Sequence, residues 1–331
     1  MPRLCLIANT IKKVRFFKFK QYLMLNTKRF LLTTVLFFVV LLNAPILFAQ
    51  TIDLFALQDA QDKKDSKDKT DIVTATFKTT RLINGQSIEN VGRGILDVKI
   101  SHRFGTLNSG AYNLFGLDNA TMRMGVDYGI TDRLMVGAGR STYQKQFDAF
   151  LKYRIIRQST GKRYMPFSVS YAASIALRTI DDPNATAVKS WYTDRLSYTH
   201  QLIIASKLND FTSLQVMPTL IHYNSVPLAK NSNDLISVGV GFRERLSKRV
   251  NLTGEYYNQV THLEGYFNSL SFGLDIETGG HVFQFHLSNS TGMTDKTFIT
   301  ETTGQWDKGD IHFGFNIARV FTVKKKKELN Q

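Results

Sequence analysis

Cysteine is all but missing. The single one, Cys5, lies in a stretch that reads as a leader, so the mature chain offers no disulfide, no thiolate metal site and no lipid-anchored cysteine. No second apolar run of helix-spanning length follows the first, which excludes a helical membrane protein. No G-x-S-x-G elbow is present, and Gly92-x-Gly94 precedes a strand rather than opening a helix, so it is no phosphate loop. No aromatic and basic groove accompanies the lysine run at residues 324–327, which argues for a solvated tail beside anionic surfaces rather than nucleic acid. Acidic residues are missing from residues 1–49, which hold eight Lys/Arg.

That basic start is read as a targeting segment. Met24 is a candidate start; Lys28 and Arg29 form an n-region, residues 30–42 an apolar h-region, and Pro45 breaks the helix before Phe48-Ala49-Gln50. Cleavage after Ala49 is expected, although Leu47 stands where a small residue is preferred; a retained anchor over residues 30–49 is the alternative. Residues 50–70 carry charges of both signs and no β-branched run near their end, and are expected to form a flexible tether.

What remains is rich in period-two alternation. In residues 309–323, Ile311, Phe313, Phe315, Ile317, Phe321 and Val323 alternate with His312, Gly314, Asn316 and Ala318, with Arg319 breaking the apolar face near its end. One face is aromatic, the other small or polar, which suits lipid outside and a polar lumen inside. A soluble sheet with one wet face alternates in the same way, so number and connection decide. About twelve such segments run from Ile95 to Val323, an even number that leaves both ends on one side. Residues 71–81 alternate poorly and are expected to be a strand or a segment lying in the barrel mouth.

Short links rich in Asp, Asn, Gly and Lys (residues 129–133, 207–210, 246–249 and 277–280) alternate with longer ones (105–119, 180–190, 224–233 and 291–308). Such parity fits short periplasmic turns and longer external loops, and a soluble sandwich gives no reason for it. The link 157–164 departs from the rule, being long and basic where a tight turn is expected. Tyr192, Tyr223, Phe242, Tyr256, Tyr257, Tyr266, Phe267 and Phe283 fall near predicted strand ends, as interfacial girdles do. The expected fold is all-β: a transmembrane antiparallel up-and-down barrel over residues 71–323, after a signal peptide and tether and before a basic tail at 324–331.

The predicted lumen face carries Asp97, Lys99, Arg103, Arg123, Asp127, Lys152, Arg154, Arg195, Glu255 and Asp275. These charges would either set the selectivity of a pore or fill the interior as an ion network. A barrel of this size accommodates a narrow channel or a plugged core. His286 and His312 lie on the same predicted face of the last two strands and form a candidate ligand pair, with no Cys, Asp or Glu at metal spacing beside them. The link 291–308 contains Phe298, Ile299 and Trp306 among threonines, which marks it as a constriction folded into the lumen or an external lid.

The stretches TFKTTRLINGQSIENVGRGILD, ISHRFGTLNSGAYNLFGLDNA, YGITDRLMVG, LKYRIIRQSTG, THQLI, DIETGGHVFQFHLSNSTGM, FITETTGQW and GDIHFGFNIARVF together resemble a β-barrel family of Bacteroidota-type bacteria labelled only as a domain of unknown function. The resemblance covers most of the mature chain. It implies an outer-membrane barrel and supplies no substrate or catalytic residues. The expected function is a non-enzymatic pore or small-solute transport or binding protein without a cofactor. The alternatives are a closed structural barrel scaffolding a periplasmic or surface partner, and a barrel-borne membrane enzyme. Expected partners are outer-membrane lipid, the barrel assembly machinery, and a small polar solute or periplasmic protein; nucleic acid is not expected.

Overall fold

The computed structural model describes residues 70–180, 192–226 and 230–324. The expected leader, the expected tether through residue 69 and the lysines from residue 325 lie outside the described residues. In chain order the strands are β1 (Thr70–Ile72), β2 (Ile95–Thr106), β3 (Ala120–Gly129), β4 (Leu134–Ser141), β5 (Gln146–Ile156), β6 (Ser159–Gly161) and β7 (Ser168–Arg178). They continue with β8 (Leu196–Lys207), β9 (Thr212–Tyr223), β10 (Asp234–Arg245), β11 (Val250–Gln259), β12 (Ser269–Thr278), β13 (His281–Ser288) and β14 (His312–Thr322). A short helix, α1 (Asp295–Thr300), lies between the last two. All except β1 and β6 join into one closed antiparallel barrel of twelve strands, sealed where β14 pairs with β2 from Thr322↔Ile95 to His312↔Thr106.

Three tight turns use one device. Thr131 Oγ1 accepts the backbone N–H groups of Arg133 and Leu134 at 3.1 and 2.9 Å. Asn209 Oδ1 accepts those of Phe211 and Thr212 at 2.7 and 2.8 Å, and Ser247 Oγ those of Arg249 and Val250 at 3.3 and 3.1 Å. A side-chain oxygen thus satisfies the N–H groups freed where the ladder ends, which is why Thr, Asn and Ser stand at these places. The link after β5 is long for a different reason: its β6 pairs with β1, from Thr70↔Gly161 to Ile72↔Ser159. Its extra length anchors the incoming chain at the short-turn end of the barrel.

The barrel is apolar on its outside. On β9, Ser213, Gln215, Met217, Thr219, Ile221 and Tyr223 are buried inward, while Leu214, Val216 and Leu220 are about two-fifths exposed. Met124, Val126, Leu151, Leu202, Ile236, Val240, Phe272, Leu274, Phe285 and Leu287 extend this belt around the barrel. Leaving such side chains in water forgoes roughly 1.5–3 kcal/mol each, and a contiguous belt of them marks a surface that meets lipid. Two of the aromatics expected in the girdle belong elsewhere. Tyr223 and Tyr257 are buried in the lumen, because each shares the parity of its strand's inward residues.

Candidate functional site

The lumen is filled by the chain itself. After β1, residues 73–93 enter the barrel from the short-turn end, turn at Ile83-Asn84, and return to begin β2. The two arms form a narrow hairpin: Leu82 N donates to Gly85 O at 2.8 Å, Ser87 N to Thr80 O at 3.0 Å, and Arg81 bridges to Gln86. Phe77, Leu82, Ile83, Asn84, Gln86, Ser87 and Ile88 are each buried. At the exit Gly94 has φ +75°, and a Cβ there would press on the backbone of Lys324, so the return into β2 requires glycine. The poorly alternating segment expected as a strand or mouth piece is therefore a plug. Its polar groups are satisfied by the wall rather than by a neighbouring strand, which is why it shows no period of two.

The wall's charged residues hold that plug. Glu255 accepts three backbone N–H groups of the hairpin tip: Ile83 at 3.3 Å, Asn84 at 2.8 Å and Gly85 at 3.0 Å. Successive N–H groups converging on one carboxylate make a small anion cradle. Arg103 donates to Asn84 Oδ1 at 2.6 Å, Asn316 to Ile83 O at 2.9 Å and Gln284 to Leu82 O at 2.6 Å. The Lys152 ammonium reaches both arms, at Thr80 O (3.1 Å), Ser87 O (2.9 Å) and Gln86 Oε1 (3.3 Å). Gln215 spans Gln86 O and Ile88 N at 2.7 and 2.8 Å. Lower down, Arg243 donates to Ala75 O at 2.9 Å and Arg154 pairs with Glu89 at 3.5 Å.

Other wall charges pair among themselves. Lys99 bridges Asp97 (2.9 Å) and Asp127, which also accepts from Thr80 Oγ1 at 2.9 Å, and Arg123 grips Asp148. Asp275 accepts from Thr253 and Gln284 at 3.3 and 2.9 Å. Arg195 does not join this set. A 3-10 turn over Tyr192–Arg195 breaks the alternation ahead of β8, and the guanidinium lies over the Tyr192 ring and on Thr179 O.

From the long-loop end the link 291–308 adds a second filling. Thr294 caps α1, forming a capping box with Thr297. A helix of six residues has little stability of its own; it is held because Phe298 and Ile299, both 0 % exposed, enter a cluster with Tyr257, Met217, Ile203, Ile221, Leu235 and the hairpin's Leu82. Phe298 meets Tyr257 edge-on at 5.1 Å. Lys296 pairs with Glu301 at 2.9 Å, and Arg81 of the hairpin stands 3.7 Å from Asp295 of α1, so the two fillings touch. Trp306 is not part of this constriction. It is half-buried at the outer rim, donating to Leu270 O at 2.9 Å and edge-on to the outward Phe272.

The two candidate histidines do not form a ligand pair. Both are buried in the lumen wall, but His312 Nδ1 is committed to Phe104 O at 2.8 Å and Nε2 to Thr291 Oγ1 at 3.0 Å. With the proton fixed on Nδ1 by a carbonyl that can only accept, His312 clasps the rim loop. Among the described residues no group of three or more His, Cys, Asp or Glu side chains gathers as metal ligands. Sequence reading missed the hairpin tip: its Asn84-Gly85 lies one residue past the centre of the turn, and neither residue takes the positive φ of an Asn-Gly hairpin.

A closed twelve-strand barrel with an apolar belt outside and a polar, self-filled lumen defines a membrane-spanning β-barrel. The chain belongs to the family described as a membrane bound beta barrel domain (DUF5777), whose model matches residues 77–321 and so takes in most of the hairpin together with the barrel. No curated protein matches it. Among solved structures it is similar to the NanC porin (10% identity, 70% of this chain and 100% of that chain, TM-score 0.41) and the KdgM porin (8%, 69% and 99%, 0.42). It is also similar to the COG4313 outer membrane channel from Pseudomonas putida F1 (13%, 71% and 98%, 0.42).

Proposed function

We propose that this chain is an outer-membrane pore for small polar solutes, held shut at rest by its own N-terminal hairpin. The observation that carries the reading is the way the hairpin is held: Glu255, Arg103, Lys152, Gln215, Gln284 and Asn316 all reach it through hydrogen bonds. Such bonds exchange with water at a net cost of about 0.5–1.5 kcal/mol each for the neutral ones and about 1.5–3 kcal/mol for those to a charged group. The barrel ladder does not depend on the hairpin, because β14 pairs directly with β2. Withdrawal would leave a hydrated lumen lined by charges of both signs, through which small polar solutes could pass.

The runner-up is a closed structural barrel that scaffolds a partner. The apolar seal around Phe298 and Ile299 favours it, since such packing resists opening. Single-channel recording separates the two readings. The protein with residues 76–89 replaced by a Gly/Ser linker should conduct in planar bilayers where the intact protein is silent; a silent barrel in both forms would support the scaffold instead.

A further inference from the structure

The hairpin tip lies in a recess whose chemistry is that of a peptide site. Glu255 on β11 and Arg103 on β2 stand at its two ends, separated by β12, β13 and β14. Between them the register runs Arg103↔Gly314, Gly314↔His286 and His286↔Gly273, with Ser271 opposite Glu255 one row further on. The two glycines leave the floor without side chains. A Cβ on Gly273 would stand 3.3 Å from Ile83 Cδ1, so the tip rests directly on this floor. The tip's backbone is read almost atom by atom: the N–H groups of Ile83, Asn84 and Gly85 by Glu255, Ile83 O by Asn316, and Leu82 O by Gln284. The Asn84 side chain is held at both its atoms, by Arg103 and by Ser271 at 3.3 Å.

Two further features point beyond the tip. Arg103 is fully buried and its hydrogen-bond partners are neutral oxygens of Asn84, Asn316 and His102; its Nε has no hydrogen-bond partner, and the carboxylate that offsets its charge, Glu255, acts across the tip without touching it. Beside it His286 is 3 % exposed with both ring nitrogens unpartnered, and a Cβ placed on Gly314 would meet both His286 Nε2 and Arg103 Cδ. A buried guanidinium is much better compensated by a carboxylate than by amide oxygens. The tip supplies the peptide N–H groups that Glu255 accepts, yet supplies no carboxylate at the Arg103 end.

We infer that the tip is a resident stand-in for a short peptide with a free carboxylate. The ligand's ammonium or amide N–H groups would sit on Glu255, its carbonyls on Asn316 and Gln284, and its carboxylate on Arg103 and His286. This names the solute class of the pore proposed above and rests on that reading for transport, but binding is measurable without conduction. The probe is L-alanyl-L-alanine, titrated calorimetrically in detergent against the 76–89 replacement and, in parallel, against the full-length I83G/N84G protein, whose hairpin keeps its length. Maltose, acetate and ethylammonium serve as comparisons.

The dipeptide should bind the 76–89 replacement about tenfold more tightly than acetate or ethylammonium, with maltose weaker still, and the I83G/N84G protein less tightly, since its hairpin backbone still competes; E255Q or R103Q should each erase most of that advantage. Equal binding of dipeptide and maltose would overturn the assignment. So would acetate binding as well as the dipeptide, which would leave only an anion site at Arg103. Dipeptide binding in a barrel that conducts no ions would keep the peptide site and remove the pore. Conduction without selective binding would do the reverse.

Discussion

The two segments that fill the lumen are built differently. The hairpin of residues 73–93 meets the wall through many hydrogen bonds to charged and amide side chains, with Phe77, Leu82 and Ile88 packed in the apolar cluster, whereas α1 meets it mainly through Phe298, Ile299 and the aliphatic and aromatic residues of β8 to β11. Water can replace the first kind of contact group by group. It cannot replace the second, where opening exposes apolar surface at about 25 cal/mol per Å². The hairpin's hold is thus the more polar of the two, and that of α1 the more apolar.

The largest expected effects concern α1. Phe298→Ala should cost about 3–5 kcal/mol of its docking, seen as fast hydrogen exchange across 294–302 while the hairpin keeps its protection. Simultaneous loss in both segments would show that the two seals are one unit. Glu255→Gln weakens the charge-assisted part of three bonds at the tip, by about 1.5–3 kcal/mol. Exchange of the Ile83, Asn84 and Gly85 amides should rise roughly ten- to a hundredfold, with α1 unmoved. Unchanged exchange there would mean that the tip is held by apolar contact after all.

Gly85 sharpens the comparison from the hairpin's side. A Cβ there would collide with the hydroxyl of Tyr257, whose ring meets Phe298 of α1. Gly85→Val should therefore unseat the tip, at a cost of about 1–3 kcal/mol for overpacking, and protease sensitivity in residues 78–88 would report it. The polar contact between the segments, Arg81 with Asp295 at 3.7 Å, is long, and Leu82 shares the apolar cluster of Phe298 and Ile299. A double-mutant cycle with R81Q and D295N should give a coupling of only about 0.5–1 kcal/mol. A larger value would tie plug and cap into a single gate.

The smallest effect is at the rim. Asn108 donates to Asp310 at 2.6 Å, and this bond is the main reason why the Asp310 carboxyl is held below its ordinary value of 3.8. The folded pKa is depressed, so the contribution is complete above the ordinary carboxylate range and is lost as pH falls through the lowered value. Hydrogen exchange at 305–311 should quicken only in that acid window, and Asn108→Ala should weaken the dependence, leaving the part due to the Gln305 N–H and Lys308.

The barrel was legible in the sequence because strand alternation and turn chemistry are local. The first barrel strand begins at Ile95 and twelve strands close the barrel, as the pattern says, and Asp97, Lys99, Arg103 and Glu255 face inward by parity alone. The plug was not legible in the same way. Its order comes from groups far along the chain, such as Glu255 for Asn84 and Gln215 for Ile88, and no local period records such bonds. Arg195 and Trp306 were misplaced for the opposite reason: alternation or composition was extended past the point where a 3-10 turn or the barrel rim ends it.

The most direct test is ion conductance of the purified protein in planar bilayers, intact and with residues 76–89 replaced by a Gly/Ser linker. A silent intact barrel and stepwise openings in the replacement are the predicted result. Equal conductance in both, or silence in both, would contradict a pore closed by its own hairpin.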